Sequence, residues 1–231
     1  MGRWLPDEFS RVHRERLVQA GFLTPVLKGW LISSSPGATP GESTPWFASF
    51  WEFCARYCDD RFSADWHLSA EQSLSIHREN TVIPPQVIVY SPKASNNLIA
   101  LPFGTSIYDL KEANPPTAND LVVRDGLRLF AVEPALIKVR ESFFADRPIE
   151  ARVALASLRD PSALLRLLLE GGNSIVAGRL IGAFRRINRA DIAEEIRSTM
   201  SAAGYSIRET DPFRPGHEFG TLATAVAPDR R

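Results

Sequence analysis

The chain is 231 residues long, 44% hydrophobic and 23% charged, and its 27 basic and 27 acidic side chains give a formal net charge of zero. That composition belongs to a globular protein able to bury a substantial core, in one large domain or two small ones. It excludes a protein that coats nucleic acid through a uniformly basic surface, so any such contact must come from a local patch. The opening residues, MGRWLPDEFSRVHRERL, lack the apolar run and small-residue cleavage site of a secretory signal. No uncharged apolar stretch of about 18 residues occurs that could span a bilayer. With only two cysteines besides, a reducing, cytoplasmic setting is expected, with no membrane contact.

In chain order, residues 7–20 read as a helix with Phe9, Val12, Arg16 and Leu17 on one side and Gly21 as its stop. FLTPVLKGWLISSS follows, two short apolar runs about a Lys28-Gly29 turn, which predicts a hairpin. Helix, glycine and hairpin come in the order of a recognition helix and wing, although a winged helix has three helices and little chain precedes residue 10. Residues 35–45, with three prolines and two glycines, read as a linker or loop. Thr44 and Pro45 then form a helix start, the hydroxyl as cap and the proline in the first turn. In the helix that follows, Phe47, Phe50, Trp51, Cys54 and Cys58 share a face, and Trp46, Phe53 and Tyr57 widen it until most sides are apolar, so the helix is expected to be buried. Ser69 and Gln72 form a capping box for AEQSLSIH. Short strands are expected at Gln86–Tyr90 and in LIALPF, TSIYDL, DLVV and LRLF, making a small, mostly antiparallel sheet over 82–132. From Pro134 the pattern turns helical, with Asp160-Pro161 opening one helix, Ser174 another, and Gly171-Gly172 and Gly204 as stops.

The expected fold is therefore α+β, a partial winged helix (1–40), a middle α+β domain with a small antiparallel sheet (41–133), a helical bundle (134–204) and a tail or linker (205–231).

Cys54 and Cys58 stand one helical turn apart, and His67 and His77 follow, so a four-ligand metal set is conceivable. The spacing fits no common zinc pattern, however, and unpaired cysteine on an aromatic helix face is ordinarily core, so no metal or cofactor is expected. Arg11, His13, Arg14, Arg16 and Lys28 crowd the first helix and the turn. Arg11 and Arg14, three apart, project together, as phosphate contacts require, with Gly29 letting the backbone come close. The opposing reading is a solvated helix whose charge is diluted by Asp7, Glu8 and Glu15. A second basic edge, Arg179, Arg185, Arg186 and Arg189 on one late helix, could meet an acidic partner or simply Glu170, Glu194 and Glu195. No GxSxG, GxxxxGK[ST] or HExxH motif is present, and no catalytic residue is nominated.

The order LVQAGFLTPVLKGWLI, WHLSAEQSL, GLRLFAVEPALIKV resembles AbiEi-type antitoxins of bacterial type IV toxin–antitoxin systems, with Gly21, Leu23, Gly29, Leu68, Ser69, Leu74, Glu133, Ala135 and Leu136 in the matching places over roughly residues 11–190. The resemblance implies a DNA-binding, non-enzymatic regulator with a toxin partner. RVHRERL, KGWLIS, SFWEFCARYC, LSAEQSLSIH, PPQVIVYSP and LPFGTSIYDLK also resemble the region preceding the catalytic domain of bacterial Fic (filamentation) proteins. That family implies adenylyl transfer through an HPFxxGNGR loop. LPFGTS lacks its histidine and phosphate-binding glycines, so the implied role is an accessory domain acting on a protein partner or a Fic catalytic domain. Ser75 to Asn80 fits that family's inhibitory pattern [ST]xxxE[GN], a loose match with no catalytic arginine for Glu79 to engage.

Overall fold

The computed structural model describes residues 10–36, 41–80 and 82–214. They fall into two compact units, one ending at Ala131 and one beginning at Val132. Together they form a mixed α+β protein, in which no described helix is long and apolar enough to cross a membrane.

The first unit opens with helix α1 (Arg11–Gln19), capped by Ser10, whose hydroxyl accepts from His13 N–H. The expected positions Asp7, Glu8 and Phe9 lie outside the described residues. The helix ends as its sequence predicts. Phe22 N–H donates to Leu17 C=O at 2.9 Å and Gly21 N–H to Val18 C=O at 3.1 Å, the paired bonds that a left-handed residue after a helix allows, and Gly21 has φ +77°. Strands β1 (Leu23–Leu27) and β2 (Trp30–Ser33) then form the expected antiparallel hairpin.

Helix α2 (Thr44–Phe62) is the core of this unit. Thr44 is its first residue rather than its cap; the cap position is Ser43, which makes no side-chain hydrogen bond there. Trp46, Phe50, Phe53, Cys54, Cys58 and Phe62 are buried in one cluster with Trp30 and Ile32 of the hairpin. Phe47, expected on the buried face, is instead exposed beside Phe103. Trp46 takes the place, four residues before Phe50, with its indole N–H satisfied by Thr105 Oγ1 at 3.1 Å.

Strand β3 (His67–Leu68), helix α3 (Ala70–His77) and strands β4 (Gln86–Ser91), β5 (Leu98–Ala100) and β6 (Ser106–Lys111) follow. The sheet order is β3-β4-β6-β5, and β4 pairs with β6 in parallel from Gln86↔Ser106 to Ser91↔Lys111. The sheet is thus mixed: β3–β4 and β5–β6 are antiparallel, as expected, and β4–β6 is not. The chain reverses twice between β4 and β6, once into β5 and once out of it, which restores the direction of β4. Because β5 pairs on the outer side of β6, β6 meets β4 directly. Strands β7 (Leu121–Arg124) and β8 (Leu127–Phe130) form a separate hairpin about Asp125-Gly126.

The second unit, as far as Arg214, contains helices α4 (Val132–Lys138), α5 (Ser142–Asp146), α6 (Pro148–Ser157), α7 (Ser162–Gly171), α8 (Ser174–Arg186) and α9 (Ala190–Ala202). The cap position of α7 is Pro161, one residue later than expected, and Asp160 just before it accepts from Ser162 N–H at 2.9 Å. Leu136, Phe144, Leu155, Leu164, Leu168, Leu180, Ile181, Phe184, Ile196 and Met200 are buried in it. Of the expected tail or linker, 215–231 lies outside the described residues; before it, Thr210 N–H donates to Gly178 C=O and Phe213 packs edge-on against Phe144.

Candidate nucleic-acid interface

Helix α1 and the β1–β2 hairpin belong to one element, tied together by unequal means. The hairpin is anchored from below, since Trp30 and Ile32 are part of the α2 core. Helix α1 rests on β1 without burying a single residue. An open groove of about 480 Å3 lies between them, with Arg11, Arg14 and Glu15 from the helix, Gly29 from the turn, and Val18, Leu27 and Trp30 as walls.

The helical period explains who lines it. Residues 11, 14, 15 and 18 are spaced i, i+3, i+4, i+7 and share a face, whereas Arg16 lies about 140° round the helix from Arg11. The structure therefore brings Arg11, Arg14 and Gly29 together. Arg16 and Lys28 are exposed and outside the lining. Gly29 has φ +84°, so the turn presents backbone without a side chain in the way. Arg11 Nε donates to Glu15 Oε1 at 3.0 Å, with both side chains well exposed; such a pair contributes little and opens readily. Arg14 is half-buried, has no acidic partner among the described residues, and its Nε has no hydrogen-bond acceptor.

The second basic edge is not an edge. Arg179 is buried; its guanidinium donates to Ile137 C=O at 3.3 Å and lies over the Phe144 ring, and burial pushes its pKa down, opposed by the charge of Glu141. Arg185 faces Glu209 at 3.5 Å and Glu194 at 3.7 Å. Arg186 grips buried Asp211 through Nε at 2.6 Å and Nη2 at 2.5 Å. Arg189 forks onto Asp191 at 3.0–3.2 Å and donates to Leu158 C=O. Of the three acids expected nearby, Glu194 alone takes part; Glu170 pairs with Arg166. Glu209 and Asp211 come from the stretch without a readable period, and no local signal in the sequence could have paired them.

Cys54 and Cys58 have no solvent exposure, and desolvation pushes both thiols up, so neither is a thiolate at neutral pH. His67 is turned to Glu112 (Nε2, 2.8 Å) and Leu68 C=O (Nδ1, 2.9 Å), and His77 Nε2 donates to Phe130 C=O at 2.7 Å. Among the described residues no three His, Cys, Asp or Glu side chains are grouped to hold a metal ion. Native protein is therefore expected to leave both thiols unmodified by an aromatic disulfide reagent until denaturant is added. Cys54→Ser is expected to destabilise by roughly 1–3 kcal/mol in urea unfolding, because it puts a hydroxyl where a thiol packed. Rapid labelling of two thiols in the folded state would contradict the buried geometry.

Glu79 occupies the left-handed position just after α3 (φ 58°), and its carboxylate meets Arg124 at 3.3 Å. That is a helix-ending role.

In comparison with known proteins, no family model, no curated protein and no solved structure matches the chain.

Proposed function

We propose that the protein is a non-enzymatic, antitoxin-like regulator that contacts DNA through α1 and the turn of the β1–β2 wing. One observation carries this reading. Arg11, Arg14 and Gly29 converge on a single open groove, while every arginine of the alternative basic edge is engaged within its own unit. The resemblance to AbiEi-type antitoxins points the same way and implies a toxin as the second partner. The accessory-domain reading, derived from the Fic resemblance, would draw on Arg185, Arg186 and Arg189, already paired with acids, and on Arg179, which is buried.

With a net charge of zero, no global attraction adds to the local patch, so Arg11, Arg14 and Lys28 supply most of the electrostatic term. Each phosphate contact removed is expected to flatten the slope of log K against log salt by about 0.9. The full chain, Arg14→Ala and Lys28→Ala are titrated against the promoter duplex upstream of its own gene at several salt concentrations. Equal slopes for all three, or wild-type binding no tighter than to a random duplex, overturn the proposal.

A further inference from the structure

The groove between α1 and the hairpin has features that a phosphate-contacting surface does not need. A helix seated tightly on a hairpin buries a stripe of its own side chains. Here α1 touches β1 and covers Arg14, Leu17 and Val18 only in part, none of them fully, and the space left over, about 480 Å3, falls in the size range of small-molecule sites. A strip of lysines and arginines on a convex surface would serve DNA as well, without a hollow behind it.

The chemistry of the lining is asymmetric. Val18, Pro25, Leu27, Trp30 and Leu31 make apolar walls. The polar groups sit on one side, on α1, and they do not cancel. Glu15 is used by Arg11 at 3.0 Å, which leaves the charge of Arg14 without an acid among the described residues. The Arg14 Nε–H has been withdrawn from water and has gained no acceptor, so an anion reaching it would supply a bond that the folded protein leaves unmade. A neutral apolar molecule would fill the walls and leave that cost in place. A bare polar anion would meet Arg14 and forfeit the walls. The occupant that satisfies both is an apolar body bearing one negative charge.

We propose that this groove binds a small apolar carboxylate, its body against Val18, Leu27 and Trp30 and its charge on Arg14, and that the bound anion keeps DNA phosphate from the same arginine. The second half rests on the reading of α1 and the wing as a DNA contact; the first half does not. Regulation then needs no rearrangement, because ligand and phosphate compete for one guanidinium.

The test uses 1-naphthoate as the probe and the full chain, followed by isothermal titration calorimetry. Naphthoate is expected to bind with one site per chain, and neutral 1-naphthamide about tenfold more weakly or less, since a charge-assisted hydrogen bond is worth that much. Arg14→Gln is expected to weaken naphthoate by a similar factor without changing its response to naphthamide. Val18→Trp fills the groove from a position that is not buried, so it is expected to abolish both while the circular dichroism spectrum is kept. Arg56→Gln, on α2 and outside the lining, should change nothing. No heat at naphthoate concentrations up to about 1 mM, or equal affinity for naphthoate and naphthamide, overturns the anion site. A separate arm measures promoter binding with and without saturating naphthoate. A weakened duplex affinity is expected, and an unchanged one overturns the exclusion. If the wild type binds no promoter at all, the DNA reading fails by itself, and the calorimetry still decides the groove.

Discussion

Asp109→Ala is expected to cost about 3 kcal/mol of stability, a large share of what a domain of this size possesses. The side chain has no solvent exposure and lies on β6, facing the loop that carries the chain from β4 to β5. Its Oδ1 accepts from Ser95 N–H at 3.0 Å and from Asn97 N–H at 2.9 Å. Its Oδ2 faces Arg61 at 3.1 Å, without the alignment of a hydrogen bond. Removing the carboxylate leaves two part-buried amides without acceptors and a guanidinium without its counter-charge. The cost falls at the low end for a broken buried pair because Arg61 keeps 34% of its exposure and water can screen it. Asp109→Asn restores an acceptor for the amides but not the charge, so urea unfolding should place it between wild type and the alanine variant. A loss below about 1 kcal/mol for Asp109→Ala would mean the loop is held by something else.

Gly178→Ala is expected to be similarly severe, for a steric reason. A Cβ added there would sit 2.0 Å from the carbonyl oxygen of Arg208 and 2.9 Å from its carbon. Both are backbone atoms, so no rotamer change relieves the clash and the segment after α9 must lift. Lifting it breaks the Thr210–Gly178 bond, the Arg186–Asp211 pair and the Phe213–Phe144 contact together. We expect about 3 kcal/mol or more, measured by denaturant unfolding, with faster proteolysis within 205–214 as the accompanying sign. Alanine favours helix over glycine by about 1 kcal/mol, so a stabilised variant would show that the close approach is absent.

Elements bounded by local chemistry could be read from the sequence. Ser69 caps α3 through Gln72 N–H, Asp160 holds Ser162 N–H at the start of α7, and Gly21 closes α1, because each acts within a few residues of itself. The burial of α2 was legible from its aromatic density, but the choice of Trp46 over Phe47 was not, since it depends on Thr105, far along the chain. The parallel β4–β6 pairing was hidden for a related reason. Nothing within Leu98–Ala100 says on which side of β6 it will lie, and that choice alone sets whether β4 meets a parallel or an antiparallel neighbour. At the candidate site, the spacing of Arg11 and Arg14 was enough to put them on one face with a common neighbour, Gly29. The same reasoning failed for Arg179, Arg185, Arg186 and Arg189. A helical period reports which side chains point together, not whether Asp211 and Glu209 return to meet them.

The unequal anchoring of α1 and the hairpin has a consequence for how recognition is tuned. A nine-residue helix has almost no stability of its own in water, and α1 gains little from burial, with Arg14, Leu17 and Val18 only partly covered, so it is the less firmly held half of the element. The wing, rooted through Trp30 and Ile32, opens only when the α2 core does. Whatever binds this element therefore meets one firmly rooted jaw and one held more loosely, and any freedom the second loses on contact is subtracted from the affinity. Substitutions on the outer side of α1 that raise helix propensity would tighten binding without touching a ligand atom, and those that lower it would loosen binding just as silently. Selection can thus set the strength of this contact from positions that take no part in it.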